Sequence, residues 1–354
     1  MILPRARGLC WAGAVAAVLF TTSVSAAAAS LSPVPSPPAG ASVERRLSDP
    51  AIVEGSGLAA SGVHPGVLYV VNDSGDSPRV FAVGRDGDTR AVLRLDGVTV
   101  DDPESLAAGP HGTLWVGDIG DNDRQRGAIA VYRVSEPAQL RDATLAVTTY
   151  RLRYPDGAHD AETLLVHPRT GRVYVVTKEL LGRVYATPGR PSPDEVTRLR
   201  RVASASPVVT GGELTPDGHR LALRDLTTAR VYAVQGDRLD DDALDLQGTV
   251  PLPKQPLGES VTWTPGGTAL LVGSEGRGSR IWRVALPASG SPGGEPSGTP
   301  TSSSPSPDVA AGSGGGQDAE SGSSGQAWWW LAGGALLAVT VTAGALLARR
   351  SGAG

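Results

Sequence analysis

Leu68-Tyr69-Val70-Val71-Asn72, followed shortly by Arg79-Val80-Phe81-Ala82-Val83, is a pair of apolar strands that the chain writes again four times. The first member recurs as Leu114-Trp115-Val116-Gly117-Asp118, Val173-Tyr174-Val175-Val176-Thr177, Leu221-Ala222-Leu223-Arg224-Asp225 and Leu270-Leu271-Val272-Gly273-Ser274. The second recurs as Ala130-Val131-Tyr132-Arg133-Val134, Arg183-Val184-Tyr185-Ala186, Arg230-Val231-Tyr232-Ala233-Val234 and Arg280-Ile281-Trp282-Arg283-Val284. A period of about fifty residues built from short β-branched and aromatic strands is the signature of a β-propeller.

Ahead of each first member stands a turn: Pro65-Gly66, Pro110-His111-Gly112, Pro168-Arg169-Thr170-Gly171, Pro216-Asp217-Gly218 and Pro265-Gly266-Gly267. Proline presets one turn dihedral and glycine permits a positive φ, so each turn joins two antiparallel strands. With a weaker fourth strand near residues 90–95, 144–152, 195–202 and 244–251, each copy reads as a four-stranded antiparallel blade. The fifth copy ends at Leu286 without one. Residues 43–53, left over before the first copy, are expected to supply it, closing the ring and covering a sheet edge. The fold class expected is therefore all-β: a five-bladed propeller over residues 43–287, closed by the N-terminal strand. Six blades, averaging about 41 residues, is the alternative.

The flanks give an address. Residues 1–28 carry Arg5 and Arg7, an apolar stretch and Val24-Ser25-Ala26, the pattern of a secretory signal peptide. Residues 29–42 read as a proline-rich disordered leader, and residues 288–326 as a Ser/Gly/Pro-rich linker too polar to fold. Residues 327–348 are uncharged; at about 1.5 Å per residue they reach roughly 33 Å, enough for one transmembrane helix. Trp328, Trp329 and Trp330 stand at its outer edge and Arg349-Arg350 open the tail, 349–354, as expected for a single-pass type I protein of the cell membrane with an extracellular propeller. Its partner there is the lipid bilayer. A sortase-processed tail is disfavoured because no Leu-Pro-x-Thr-Gly precedes Trp328.

The single cysteine, Cys10, lies inside the signal segment, so thiol catalysis, disulfides and zinc-thiolate sites are excluded from the mature chain. A formal net charge of -4 with no basic block outside the termini speaks against nucleic acid as a partner. No Gly-x-Ser-x-Gly elbow, His-Glu-x-x-His or phosphate loop occurs.

Register selects a polar face. Counting back from the turn prolines places Glu104, Glu162 and Glu259 at equivalent strand starts, with Thr210 in the fourth copy and Ser56 or Glu54 in the first. Antiparallel pairing sets this row beside Asn72, Asp118, Thr177, Asp225 and Ser274, at the end of the propeller away from the prolines and near the channel mouth. Such side chains either cap neighbouring amides, a role that repeats because the fold repeats, or bind a ligand. Candidate ligand-binding residues are Glu104, Glu162, Glu259, Lys178, Arg224 and Asp225. Candidate metal ligands are Asn72, Asp73, Asp118 and Asp121, from the loops Asn72-Asp73-Ser74-Gly75-Asp76 and Gly117-Asp118-Ile119-Gly120-Asp121-Asn122-Asp123. These residue types equally build Asx turns; as oxygen donors they would suit Ca²⁺. His159, set among Asp156, Asp160 and Glu162, is the candidate general base.

These loops, with Val209-Thr210-Gly211-Gly212-Glu213-Leu214-Thr215-Pro216-Asp217-Gly218 and Gly258-Glu259-Ser260-Val261-Thr262-Trp263-Thr264-Pro265, resemble a group of secreted, membrane-anchored actinobacterial β-propeller proteins across most of residues 50–286. The resemblance implies an architecture and an address rather than a reaction. More distantly, the chain is similar to phytase-like esterase propellers, which implies calcium at acidic clusters; no complete catalytic motif matches, so no catalytic residue carries over. The function expected is a cell-surface binding module presenting a polar face to a cation, glycan, peptide or other cell-envelope partner. The alternative is a calcium-dependent extracellular hydrolase of phosphoesters or lactones.

Overall fold

The computed structural model describes residues 37–286 apart from Ser74. The signal segment, linker, membrane span and tail expected from the sequence lie outside these residues. Among the described residues there is no helix at all, and so none long and apolar enough to cross a membrane.

In chain order the strands are β1 (Ala41–Arg46), β2 (Gly55–Ala60), β3 (Leu68–Asn72), β4 (Arg79–Val83), β5 (Thr89–Leu95), β6 (Pro103–Gly109), β7 (Thr113–Asp118), β8 (Ile129–Ser135), β9 (Ala143–Leu145), β10 (Thr148–Arg153) and β11 (Ala161–Val166). They continue with β12 (Val173–Thr177), β13 (Arg183–Ala186), β14 (Val196–Arg198), β15 (Arg200–Ser204), β16 (Gly211–Leu214), β17 (Arg220–Arg224), β18 (Thr228–Val234), β19 (Leu244–Pro251), β20 (Gly258–Trp263), β21 (Ala269–Ser274) and β22 (Arg280–Ala285).

Five sheets form five blades. Blade one is β2-β3-β4-β5, blade two β6-β7-β8-β10, blade three β11-β12-β13-β15 and blade four β16-β17-β18-β19, each antiparallel throughout. Blade five is β20-β21-β22 completed by β1, which pairs antiparallel with β22 from Ala41↔Val284 to Arg46↔Arg280. The innermost strands touch in the cycle β2, β6, β11, β16, β20 and back to β2, so the ring is closed with five blades. The closing strand begins at Ala41, two residues inside the stretch read as leader.

Two expected fourth strands divide. The segment near 144–152 yields β9, which runs parallel to β5 as a fifth strand of blade one, and β10, which belongs to blade two. The segment near 195–202 yields β14, parallel to β10 on blade two, and β15 of blade three. In both cases a three-residue strand laps the outer edge of the preceding blade, pairing amides that an open edge would leave exposed.

Because the inner and middle strands are buried on both faces, each blade packs on both sides. Apolar clusters fill every junction: Tyr69, Leu93, Leu106 and Val116 between blades one and two, and Trp115, Tyr150, Leu164 and Tyr185 between two and three. Leu165, Tyr174, Leu214 and Leu223 pack between three and four, Val231, Val250, Trp263 and Leu270 between four and five, and Leu58, Phe81, Leu271 and Ile281 between five and one. Burying such side chains contributes about 1.5–3 kcal/mol each, the stabilisation that a chain without disulfides needs. The proline turns adopt the expected backbone, with Gly218 and Gly267 at φ 74° and 61°.

Candidate functional site

The acidic row of the channel is made by bulges. In β2, β6 and β11 the pairing with the second strand skips one residue, Ser56, Glu104 and Glu162 respectively; in β20 it skips Glu259 and Ser260. A bulge residue has no place in the ladder and its side chain is re-aimed, here inward at the end away from the proline turns. All four bulge positions are buried, Glu162 retaining 3% exposure and Glu104 4%. The Ser56 hydroxyl donates to Glu104 Oε2 at 2.8 Å and approaches Glu259 Oε2 at 3.4 Å, so this serine fills the first-copy position and knits blades one, two and five.

Blade four departs from the pattern. Strand β16 has no bulge, and the Thr210 hydroxyl donates to the Gly258 carbonyl at 2.9 Å. Arg224, with no exposed surface, donates to the carbonyls of Ser260 (3.1 Å) and Gly273 (3.0 Å) across the blade junction. Burial lowers its guanidinium to about 10, which still leaves it charged at neutral pH. Asp225 is occupied by the Thr227 and Thr228 amides and Arg230. Burial would raise its carboxyl, but hydrogen bonds from Thr228 and Thr227 outweigh it and hold the group at about 2. These two candidates therefore brace blade four.

At the junction of blades one and two, three carboxylates converge. Asp73 follows β3, Asp102 precedes β6 and Glu104 is the β6 bulge; one oxygen from each lies within 4.8 Å of the others. Gly120 makes room for them: a Cβ there would stand 2.3 Å from Asp102 Oδ2 and 2.9 Å from Glu104 Cγ. Burial, then Glu162 and Asp73, drive the Glu104 carboxyl up to about 10. Asp102 is likewise raised, by burial and by its hydrogen bond with Asp73. Around this trio stand Glu162, Asp160, Glu259 and Glu275. Glu162 is raised to about 7 by burial despite its ion pair with Lys178, and its Oε2 is buried without a hydrogen-bond partner. Burial works against the Lys178 ammonium, yet Glu162, Glu259 and Glu104 together lift it to about 12. Glu259 and Glu275 share a hydrogen bond and are both raised, burial being the first cause.

The other metal candidates serve the backbone. Asn72 Oδ1 accepts from the Val53 amide at 3.1 Å, while its amide donates to the Ala51 carbonyl and to Asp76, both at 2.8 Å. Asp118 accepts from the amides of Asp101 (3.2 Å) and Asp102 (3.0 Å) and from the Tyr132 hydroxyl, and pairs with Arg126 at 2.9 Å. Asp121 accepts from the amides of Gln125 and Arg126. Of the four, Asp73 alone joins the trio, and Asp118 acts on it indirectly by fixing the Asp102 backbone.

The partners of His159 are side chains outside the carboxylate trio. Its Nδ1 lies 3.1 Å from Glu179 Oε1; its Nε2 lies 3.1 Å from Asp156 Oδ1 and 2.9 Å from the Tyr185 hydroxyl. Both ring nitrogens are engaged and the ring packs edge-on against Tyr154. Sequence reasoning passed over Asp102, Asp160 and Glu275. A signal for two of them was present: Asp102-Pro103-Glu104 and Asp160-Ala161-Glu162 share one Asp-x-Glu spacing at equivalent strand starts.

No protein-family model and no curated protein sequence matches the chain. Among solved structures it is similar to a gluconolactonase from Xanthomonas campestris, at 16% identity over 66% of this chain and 86% of that one, with a TM-score of 0.40. It is similar to a glucose dehydrogenase at 12% identity over 70% of this chain and 99% of that one, TM-score 0.43. It is also similar to the WD40 repeats of RRP9 at 15% identity over 66% of this chain and 67% of that one, TM-score 0.36. The assignment of the chain as a five-bladed propeller rests on its own strand order and closed cycle of inner strands.

Proposed function

We propose that this chain is an extracellular binding module, tethered through residues 288–348, whose acidic channel mouth takes a divalent cation between Asp73, Asp102 and Glu104. The observation that carries the reading is the convergence of three carboxylate oxygens within 4.8 Å, with the buried Glu162 Oε2 unpartnered beside them. Oxygen ligands at about 2.3–2.6 Å from a common centre span that spacing, and an all-oxygen donor set favours calcium over softer metals. The raised carboxyls point the same way: groups that hold protons because they are buried, and because like charges crowd them, would release those protons to a cation. A bound cation would present an electropositive centre at the mouth, suited to an anionic or polyhydroxyl group of the cell envelope.

Calorimetry of the full chain with Ca²⁺ tests this. Saturable binding that disappears when Asp73, Asp102 and Glu104 become amides supports it, and absence of binding or indifference to the triple substitution rejects it. A hydrolase reading draws on Glu162, whose carboxyl near 7 beside the trio suits proton transfer. Turnover of a phosphoester or lactone that stops with chelator and with Glu162→Gln would favour that reading.

A further inference from the structure

The opposite end of the channel holds a different feature. Among the proline turns opens a cavity of about 500 Å³. Its walls come from the inner strands of all five blades, chiefly Ala60, Ala108, Val166, Leu214 and Thr262. They are small and mostly apolar, with one carboxyl, Glu213, at the floor. Glu213 retains 5% exposure. It leans from blade four across the channel to blade two, where Oε1 accepts the Ala108 amide at 3.1 Å. Its Oε2 is buried and has no hydrogen-bond partner. Burial raises the carboxyl to about 8 although the Ala108 amide and the nearby Thr262 hydroxyl favour its ionised form.

A carboxyl stranded at the base of an apolar shaft costs free energy unless something completes it. Blade packing does not call for the charge, since a glutamine would fill the same volume and still accept the Ala108 amide. The complement to this shape is a group with an apolar stem and a cationic head, whose methylenes lie against the walls while the head donates to Oε2. We propose that the proline-turn mouth is a second ligand site, taking a primary alkylammonium group with Glu213 as its counter-charge. The group belongs either to a free amine or to a lysine side chain offered by a protein partner. This site is independent of the acidic mouth, so its fate does not depend on cation binding there.

The test uses the full chain with three probes: n-butylamine, the peptide Gly-Lys-Gly blocked at both ends, and n-butanol, which has the same stem without the charge. The amine binds saturably by calorimetry and the alcohol does not. Glu213→Gln, which retains the acceptor for the Ala108 amide, weakens amine binding at least about tenfold, the scale of one charge-assisted hydrogen bond. Glu213→Asp, which keeps the charge, recovers part of that loss, and circular dichroism shows both variants folded. Peptide binding tighter than butylamine identifies a lysine as the source; butylamine binding with the peptide excluded identifies a free amine. The proposal is overturned if neither amine binds saturably, if the alcohol binds as well as the amine, or if Glu213→Gln leaves amine affinity unchanged.

Discussion

The two mouths of one channel handle buried carboxylates in opposite ways. At the proline-turn mouth a single carboxyl, Glu213, is raised by burial, and the groups beside it are an amide and a hydroxyl. At the far mouth the carboxyls raise one another, with Glu162 and Asp73 adding to burial at Glu104 and Lys178 supplying a counter-charge. The difference originates in the strands. Bulges in blades one, two, three and five aim side chains inward at the acidic mouth, whereas β16 enters its ladder without one and delivers Glu213 from regular register.

The strongest way to break the comparison is to neutralise the acidic mouth. Converting Asp73, Asp102 and Glu104 to Asn, Asn and Gln should lower Ca²⁺ affinity by more than about a hundredfold, since the protein would keep no charged ligand of the trio. Calorimetry reads this directly.

Next in size is the counter-charge. Lys178→Met should destabilise the protein by roughly 3 kcal/mol at pH 8, because Glu162 would be left buried and unpaired, and by much less at pH 5, where that carboxyl takes up a proton. Denaturant unfolding at the two pH values measures the contrast; equal losses would show that the lysine acts by packing alone.

The sign of the pH dependence sharpens the picture. The folded protein keeps protons on carboxyls that the unfolded chain releases above about pH 4.3. Stability is therefore full below that value and falls as pH rises through about 7 at Glu162 and towards about 10 at Glu104. Each group adds a slope of at most about 1.4 kcal/mol per pH unit. Thermal melts without calcium should drop from pH 6 to pH 9. Glu104→Gln should flatten that drop, and added calcium should remove most of it.

Subtler still is Gly120→Ala. Its Cβ would collide with Asp102 Oδ2, so the carboxylate must swing away, at a cost of about tenfold in calcium affinity with little change in stability. As the smallest effect, Glu213→Gln should leave calcium affinity within about twofold, since changes at distant sites act independently.

The propeller was legible because its signals are local. Proline turns between short apolar runs state the hairpins, and the missing fourth strand after Leu286 pointed to the N-terminal segment that became β1. The row Glu104, Glu162, Glu259 followed from counting along strands, since the register of a hairpin is fixed by its turn. What escaped depended on through-space relations. Strands β9 and β14 are three residues long and pair in parallel with a neighbouring blade, leaving no turn or alternation to read. Asn72, Asp118 and Asp121 looked like metal ligands because oxygen-rich loops serve cations and backbone amides with the same atoms. The choice between them depends on which amides approach, and here the approaching amides include those of Val53 and Asp102. Glu213 drew no notice as a single acid within an ordinary strand. Its position became meaningful once Ala108, a residue of blade two, was seen across the channel.

The pairing of β1 with β22 also sets a timetable. Among the described residues the first strand to leave the ribosome finds its place only after the last one has been made, so Arg46 waits for Arg280 while four complete blades assemble between them. Contacts that distant along the chain are slow to form, and until the latch shuts, blade five offers a bare edge to any passing strand. The vulnerable moment in the life of this molecule is thus its final step of maturation, and residues 41–46, which line no ligand site, are the ones that end it.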